Sequence, residues 1–490
     1  MASIKVNVVA NVAGKAWAVL ASFLFVPLYI KYLGIEQYSL ISFSLVLYGI
    51  LHILDGGLTL TLSREFALSR SIEDKWKTFR ILENCYLYIV VIIILMTIMG
   101  ADFMATSWLK LETINSTYAA NCIRILGCSC GLQMLSSFYS GGFTGLERMV
   151  EMNSYRIVSS LIRAGLVVVP VAYTHSVFFF FAWQFVSDLL YALFLRIKLK
   201  PNKIMPKVSL LTIEKKEVER VGKFAGGVFL ISVIAAVNTQ LDKIVISKIF
   251  EISELGIYTL AMTAAMGVIS LTSPITAALQ PRFTKLISEK KNDEVIRLYS
   301  LSFLFVSQLT LAISFVLSLN SFNILWVWTG DTYLAEKASV YLPILMIGAV
   351  AIAYQTIPYC IAIGNGCTRY NNFLGIASLL LTIPGYLVAG KHWGPKGVAY
   401  VYAISQMLIT PIYIYCINKR FLGQLSSMSL LLKSVLLPGL VIGLLSLVLS
   451  LIPIFNNRLL DLLRFLLIGS ITLAPAIINI WKLNKKNRLF

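Results

Sequence analysis

Charged residues are scarce in this chain. They make up 13% of its 490 residues, whereas ordinary soluble domains contain roughly 25%. A soluble enzyme, a disordered chain and a nucleic-acid-binding domain all need a more polar composition, so these three classes are excluded. Acidic residues are the scarcest, with 23 against 42 lysines and arginines. The placement of the basic residues must therefore explain the positive charge.

Histidine and cysteine are also few, and neither forms a recognisable motif. The three histidines, His52, His175 and His392, fall in separate segments. The seven cysteines lie mostly in apolar runs, and the pair Cys128 and Cys130 is the nearest approach to a motif. Zinc and redox sites usually have C-x-x-C spacing. We therefore predict buried free thiols, no bound metal and no cofactor.

Nucleotide chemistry is not indicated either. The phosphate-binding pattern G-x-x-x-x-G-K-[ST] is absent, and GKHWGPK at 390–396 does not fit its spacing. The largest external loop that we predict, at 321–338, is too short to be a catalytic domain. We therefore do not expect an enzyme, and the energy for any transport would come from an ion gradient or from the fate of the substrate.

Apolar length is what the chain has in abundance. Hydrophobic residues make up 58% of it and its mean hydropathy is +0.80. A membrane-spanning helix needs ~20 apolar residues, so this content suffices for roughly fourteen spans. We predict an all-α integral membrane protein with spans near 11–32, 39–62, 85–104, 118–143, 157–173, 177–195, 224–250, 256–279, 298–319, 339–363, 372–388, 397–418, 434–452 and 460–480.

The basic residues indicate the orientation of these spans. With a cytoplasmic N-terminus, the basic residues on the external side are confined to Lys31, Lys110, Lys337, Lys391, Lys396 and Arg458. Most of the others fall in cytoplasmic segments, as the positive-inside rule requires. We therefore expect both termini in the cytoplasm, with attraction to membrane lipids as a by-product. The net charge of +19 needs no nucleic-acid partner.

Weak internal repeats suggest how the spans are grouped. LGIEQYSL at 33–40 resembles ELGIYTLA at 254–261, and FTGLERMVEMN at 143–153 resembles IGNGCTRYNN at 363–372. The offsets lie near 220 residues, which indicates a duplication of six spans, with the copies related by a pseudo-twofold axis along the membrane normal. We predict the following domains: a six-helix lobe at 1–195, a basic cytoplasmic linker at 196–223, a second six-helix lobe at 224–418 and an extra helix pair at 419–490.

Two glycine pairs lie in or at the end of the fourth predicted span. Gly127 and Gly131, and Gly141 and Gly145, have the small-xxx-small spacing of helices that approach closely in membranes. We therefore predict tight helix contacts on this span.

Basic residues inside the predicted spans are the most informative. Each costs ~2.5–3.5 kcal/mol at a helix centre, which disfavours a position facing lipid. Two interpretations stay open. Either the charges form interhelical ion pairs that hold the bundle together, such as Asp188 with Arg163, or the cations line a water-filled cavity and neutralise an anionic substrate. The candidates for the cavity are Lys15, Arg124, Arg163 and Lys243.

Acidic residues at membrane depth suggest a second role. Asp55 lies in the second predicted span and Asp188 near the middle of the sixth, while Asp242 lies beside Lys243. Burial readily shifts the protonation of a carboxylate. These three residues are therefore candidates for H⁺ or Na⁺ coupling, or for charge pairs.

The N-terminal sequence resembles a known family. FLFVPLYIKYLGIEQYSL at 23–40, followed by ILDGGLTLTLSREFA at 53–67, is similar to the start of Wzx-type polysaccharide flippases, which belong to the multidrug/oligosaccharidyl-lipid/polysaccharide (MOP) exporter superfamily. The likeness is specific over about residues 11–70 and diffuse beyond. It implies a V-shaped pair of six-helix lobes with a cationic cavity. The implied substrate is an undecaprenyl-diphosphate-linked oligosaccharide, moved from the cytoplasmic to the outer leaflet.

Fourteen spans, where many of these flippases have twelve, depart from the family pattern. This number is similar to that of the lipid II flippase relatives, whose extra helix pair contributes a groove for the lipid tail. In this family the positions of essential charges vary, so the resemblance implies intramembrane charges in general and no fixed motif.

Three functions can be weighed from the sequence. We favour a flippase for O-antigen or a related surface polysaccharide, which works by alternating access in the bacterial inner membrane. An ion-coupled multidrug antiporter of the same superfamily would rather have an acidic cavity. A membrane-embedded glycan polymerase would typically place catalytic arginines in a large external loop, which is not predicted here. The expected partners are the lipid-linked substrate, membrane lipids and polysaccharide polymerase or other assembly proteins.

Overall fold

A computed structural model describes residues 4–55, 57–67, 71–199, 215–367, 369–423, 425–455 and 457–486. Over these residues the chain is helical, and β pairing is confined to an isolated bridge between Lys110 and Glu251. The predicted all-α class is confirmed. Side chains at 4–13, 215–231 and 475–486 and that of Lys15 lie outside the described residues, as does segment 200–214 of the predicted linker.

Two compact units form, Met1–Gly256 and Ile257–Phe490. The helices that begin in the first unit are α1 (Ile4–Leu51), α2 (Leu58–Ala67), α3 (Ile72–Phe103), α4 (Ser116–Gly145), α5 (Met149–Ser160), α6 (Val168–Thr174), α7 (Val177–Leu199), α8 (Lys215–Ile249) and α9 (Ile252–Ser288). In the second unit, α9 is followed by α10 (Asn292–Leu319), α11 (Ser321–Thr329), α12 (Thr332–Ser339), α13 (Leu342–Gly364), α14 (Arg369–Phe421), α15 (Ser427–Leu431), α16 (Leu437–Ser450) and α17 (Arg458–Lys486). The predicted division into lobes at 196–223 stays a prediction.

Two of the helices are broken by a glycine in the left-handed region. Gly34 in α1 has φ of 74° and Gly394 in α14 has φ of 65°. A continuous helix of about 50 residues would be ~75 Å long, far more than the ~30 Å of bilayer hydrocarbon. These breaks divide α1 and α14 at the places where the sequence predicts a turn between two spans.

The second predicted span is itself interrupted. α1 ends at Leu51, a 3₁₀ turn follows at His52–Asp55, and α2 begins only at Leu58. The described Gly57 has φ of 77°, a conformation that glycine adopts at little cost. The window 39–62 was therefore wrong as a single uninterrupted helix.

Nine segments among the described residues are long and apolar enough to cross a membrane. They support a multi-pass membrane protein, and every one of the predicted windows contains described helix. The count of fourteen spans stays a prediction.

In the first unit, α4 packs against α2, α3 and α7. Its glycines allow this approach. A Cβ at Gly141 would lie 2.6 Å from Thr59 O, and one at Gly145 would lie 2.4 Å from Ser63 O, both backbone atoms of α2. Since real Cβ atoms do not approach so closely, α2 and α4 can pack this way only with glycine at these positions. The predicted close packing on this helix is confirmed.

In the second unit, the C-terminal helices α16 and α17 pack against α10. A π-helical turn at Leu432–Leu436 precedes Pro438, which cannot donate to the carbonyl of Ser434 four residues earlier. The hydroxyl of Ser307 in α10 donates to that carbonyl at 2.8 Å. The helix pair is thereby hydrogen-bonded to the rest of its unit.

Candidate functional site

Arg163 lies near the middle of the candidate span Met149–Thr174, in a π-helical turn at Leu161–Leu166. The turn ends four residues before Pro170, whose ring would collide with the carbonyl of Leu166 in a regular α-helix, so a wider turn relieves the clash. π turns occur frequently at functional sites. The local sequence thus places a cation at membrane depth on an irregular stretch of helix.

Asp188 of α7 is the partner of this cation. Arg163 Nε lies 2.9 Å from Asp188 Oδ1, and the side chains are 37% and 4% exposed, respectively. The hydroxyl of Ser129 in α4 donates to the other carboxylate oxygen, and Gln133 Nε2 donates to Ser129 Oγ at 3.3 Å. The carboxylate is therefore enclosed, while the Arg163 side chain as a whole is only partly buried.

The geometry of Arg163 is compatible with both interpretations, the ion pair between helices and the cation that lines a cavity. The ion pair with Asp188 is the contact that the first interpretation describes. The Arg163 side chain is 37% exposed, which is compatible with contact to a second anion, as the second interpretation requires. Its role in lining a cavity stays a prediction.

Arg124 is bound more completely. Its Nη2 lies 2.8 and 2.7 Å from the two carboxylate oxygens of Asp102, and its Nη1 donates to Asn121 Oδ1 at 2.6 Å. Asp102 lies in the last turn of α3, and its side chain is 67% exposed. Asp102 was not foreseen as the partner of Arg124, although it lies near the end of the third predicted span.

Lys243 has neutral partners instead. Its Nζ donates to Thr239 O at 3.1 Å and to Gln240 Oε1 at 3.2 Å, both on its own helix α8. Neither acceptor carries a charge, so these bonds leave the positive charge of Lys243 uncompensated. The neighbouring Asp242 is buried. The structure describes only the backbone of Lys15, on α1.

Asp55 lies in the 3₁₀ turn between α1 and α2 and is 6% exposed. Its Oδ1 accepts hydrogen bonds from Thr59 Oγ1 at 2.5 Å and from the buried Tyr86 hydroxyl at 2.8 Å. Both donors are neutral. The position of this carboxylate is compatible with binding a proton or a small cation, and that role stays a prediction.

A second ionic cluster was not foreseen from the sequence. Glu83 of α3 is fully buried. Its Oε1 lies 2.7 Å from Nε of Arg196 in α7, and its Oε2 lies 3.1 Å from Nη1 of Arg80. The hydroxyl of Tyr139 in α4 donates to the same carboxylate at 2.9 Å. Arg80 and Glu83 have the i,i+3 spacing of a helical ion pair, which was the available signal. Arg196 is distant in sequence and could not be assigned.

One end of the first unit is held together by loops. Lys110 Nζ donates to Ile249 O at 2.6 Å, and the backbone N–H of Ile252 donates to Lys110 O at 3.0 Å. Lys248 Nζ donates to Ser107 O at 2.6 Å. The segment that joins α3 to α4 is therefore bonded to the segment that joins α8 to α9.

The carboxylate of Glu36, just after the break at Gly34, fixes the same loop. Its oxygens accept the backbone N–H groups of Glu112, Thr113 and Ile114 at 2.7 to 3.1 Å. Three consecutive amides directed at one anion form a rigid nest. α1 is thus bonded to the same end of the unit.

In the described part of the chain, no group of three or more histidine, cysteine, aspartate or glutamate residues is arranged to hold a metal ion. The seven cysteines are free thiols, and Cys122, Cys130 and Cys360 are buried.

Comparison with known sequences gives two family matches and a curated relative. The model of the polysaccharide biosynthesis protein family matches residues 4–287, and that of the MatE family matches residues 228–388. A Shigella flexneri protein, whose name assigns it to O-antigen transport, is 21% identical over 385 residues. This match covers 77% of the present chain and 88% of the relative.

Solved structures show the same architecture. The lipid II flippase MurJ in an inward closed conformation superposes with a TM-score of 0.76 at 15% identity, covering 99% of this chain and 100% of MurJ. An inward-facing multidrug resistance MATE transporter of the MOP superfamily gives 0.66 at 13% identity, covering 82% and 95%. These likenesses confirm the predicted MOP-type transporter fold. Since the first family model spans more than half of the chain, this protein belongs to the polysaccharide biosynthesis protein family.

Proposed function

We propose that this protein is a flippase in the bacterial inner membrane. Its substrate would be an undecaprenyl-diphosphate-linked oligosaccharide repeat unit of O-antigen or a related surface polysaccharide. Transport would run from the cytoplasmic to the outer leaflet by alternating access, with both termini in the cytoplasm. Membership of the polysaccharide biosynthesis protein family, the relative named for O-antigen transport and the MurJ-like fold support this proposal.

The observation that carries the proposal is the accessible surface of Arg163 at membrane depth. An intramembrane arginine that served only to hold helices together could be closed off completely, as its partner Asp188 is. Keeping such a cation accessible at the centre of a helix is costly. Binding of a substrate whose anionic group enters the membrane would offset this free-energy cost.

A diphosphate has the chemistry that Arg163 needs. Phosphate oxygens accept the planar N–H groups of a guanidinium in pairs, and such charge-assisted bonds are strong in a poorly hydrated site. The diphosphate would compete with Asp188 for Arg163, so that binding exchanges one anion for another. The polyprenyl tail would stay in lipid while the sugars follow the diphosphate.

The other cations would assist. Arg124, Lys243 and Lys15 are proposed to contact the diphosphate at different stages, and Lys243 is the best placed of the described ones because its partners are neutral. Asp55, Asp188 and Asp242 are proposed to carry H⁺ or Na⁺, or to balance these cations between cycles. Polysaccharide polymerase and other assembly proteins are the proposed protein partners.

The test is deletion of the gene in the native host, followed by complementation. Surface polysaccharide and the sidedness of lipid-linked repeat units are measured together. The wild-type gene and Arg163→Lys should restore export, the latter in part, whereas Arg163→Ala should reduce export at least ~10-fold at equal protein level. The matched control is Arg420→Ala, which removes an exposed arginine at the end of α14.

The outcomes separate the candidates. Repeat units that accumulate facing the cytoplasm support the flippase. Repeat units that accumulate on the outer face would instead indicate a glycan polymerase or ligase. Full export by Arg163→Ala would refute the assignment of Arg163.

A drug antiporter is the second candidate, because the MatE family model matches residues 228–388 and MATE transporters share the fold. It predicts that the deletion strain exports normal polysaccharide and becomes sensitive to cationic drugs. A strain with normal drug tolerance and no surface glycan would exclude it.

A further inference from the structure

Three consecutive carbonyls in the π-helical turn accept hydrogen bonds from side chains of other helices. Trp183 Nε1 donates to Ile162 O at 2.9 Å, and Gln184 Nε2 donates to Arg163 O at 2.9 Å. The hydroxyl of Tyr29 in α1 donates to Ala164 O at 2.5 Å. In a regular α-helix, backbone N–H groups four residues later occupy these carbonyls.

α7 contacts Arg163 at both ends of the residue. Gln184 and Asp188 are four residues apart on this helix and therefore lie on the same face. Gln184 binds the backbone carbonyl of Arg163, while Asp188 binds its guanidinium. The position and the direction of this side chain are thus both set from α7.

The buried side chain of Gln184 has a polar atom without a hydrogen-bond partner among the described residues. It is 5% exposed, and its Oε1 accepts no hydrogen bond from the described residues. A buried acceptor without a partner is destabilising, so an apolar residue of the same size would be preferred if packing were its only task. The bond from its Nε2 to the turn of Arg163 accounts for the amide.

We propose that Gln184, Trp183 and Tyr29 are positioning residues for the anion-binding cation Arg163. They hold the π-helical turn in the one register in which the guanidinium contacts Asp188 and still presents donors to a phosphate group. This inference rests on the proposed function only for the nature of the anion. The positioning itself is a property of the turn and can be measured without transport.

The first experiment measures where residue 163 points. Arg163→Cys is made alone and together with Gln184→Met, and the purified full-length protein is labelled with a cationic methanethiosulfonate reagent. The parent protein gives the background of its native thiols. Losing the bond from Gln184 should loosen the turn and raise the labelling rate at position 163 about fivefold. Tyr29→Phe should act in the same direction.

The matched control is Gln280→Met. Gln280 Nε2 of α9 also donates to a carbonyl of another helix, Cys360 O at 3.3 Å, in the second unit. Combined with Arg163→Cys, this control should leave the labelling rate unchanged. Equal rates for Gln184→Met and Gln280→Met would overturn the positioning role.

The second experiment measures transport in proteoliposomes with a short lipid-linked diphosphate oligosaccharide as the probe. Gln184→Met, with Arg163 intact, should raise the half-saturating concentration about fivefold and change the maximal rate less. Partial recovery by Gln184→Asn would support the role of the amide. A loss of maximal rate alone, with unchanged half-saturation, would contradict it.

The two experiments distinguish a failure of the proposed function from a failure of the positioning role. If the wild-type protein does not move the probe, the proposed function is wrong, while the labelling result still decides the positioning role. If transport is normal and labelling insensitive, the positioning role is wrong and the function stands.

Discussion

Replacing Asp188 by asparagine removes the anion beside Arg163 and keeps the size of the side chain. The hydroxyl of Ser129 can still donate to the amide oxygen, so the hydrogen bond to α4 has a replacement. The guanidinium of Arg163 has no replacement for this carboxylate among the contacts described. Asp188 Oδ1 lies 2.9 Å from its Nε. The substitution therefore isolates the charge interaction.

The expected loss of stability in Asp188→Asn depends on how deeply the ion pair is buried. Removing one partner of a fully buried ion pair costs ~3–5 kcal/mol, because the other charge is left uncompensated. Asp188 is buried, but the Arg163 side chain is 37% exposed, so part of that cost is relieved. We expect a loss of ~2 kcal/mol in the free energy of unfolding, a change of roughly thirtyfold in the unfolding equilibrium.

The assay is reversible unfolding of the purified protein in mixed micelles, with the wild type and a matched control measured in parallel. The control is Glu151→Gln, which breaks the pair with Arg148 at 2.6 Å, where the side chains are 32% and 44% exposed. An exposed pair contributes less than ~1 kcal/mol. Asp188→Asn should therefore cost more than Glu151→Gln.

A double mutant completes this test. Arg163→Ala combined with Asp188→Asn should lose less stability than the sum of the two single losses, because the two side chains interact directly. Equal losses for Asp188→Asn and Glu151→Gln, together with additivity in the double mutant, would refute the account of this pair.

Three further predictions follow from other contacts. Glu83→Gln should destabilise the protein by ~2–3 kcal/mol in the same unfolding assay, because Arg80 and Arg196 lose their shared carboxylate; an unchanged midpoint would contradict this. Lys110→Cys with Glu251→Cys should form a disulfide under mild oxidation, since paired segments lie ~4.8 Å apart. If no disulfide forms, with the single cysteine variants as controls, the pairing of these two segments is contradicted. Gly145→Ala should cost ~1–3 kcal/mol, because α2 must move away from α4. At Gly469 an added Cβ would meet no other described part of the structure within 4 Å, so Gly469→Ala should cost nothing measurable; equal costs would contradict the packing argument.

Apolar length and turn chemistry made the helices predictable. The windows around Gly34 and Gly394 were assigned as pairs of spans because polar and glycine residues separate two apolar runs there, and the backbone breaks at these glycines. The interruption after Leu51 was missed, because Ile53 and Leu54 continue the apolar pattern through the 3₁₀ turn. Hydropathy measures transfer to lipid and does not report a local change of backbone conformation.

The site was predictable only in part. The types of residue and the pair of Arg163 with Asp188 could be proposed, because buried opposite charges in neighbouring spans attract. Asp102 and Arg196 could not be assigned to their partners, since such pairs depend on how helices distant in sequence are packed. The π-helical turn at Arg163 also escaped prediction, because hydropathy does not report a local widening of the helix.

The most direct test of the central claim is the sidedness of the lipid-linked repeat units in a strain that lacks this gene. The account predicts that surface polysaccharide disappears while the units accumulate and face the cytoplasm, and that the wild-type gene restores export but Arg163→Ala does not. Normal surface polysaccharide, or accumulated units that already face outward, would contradict it.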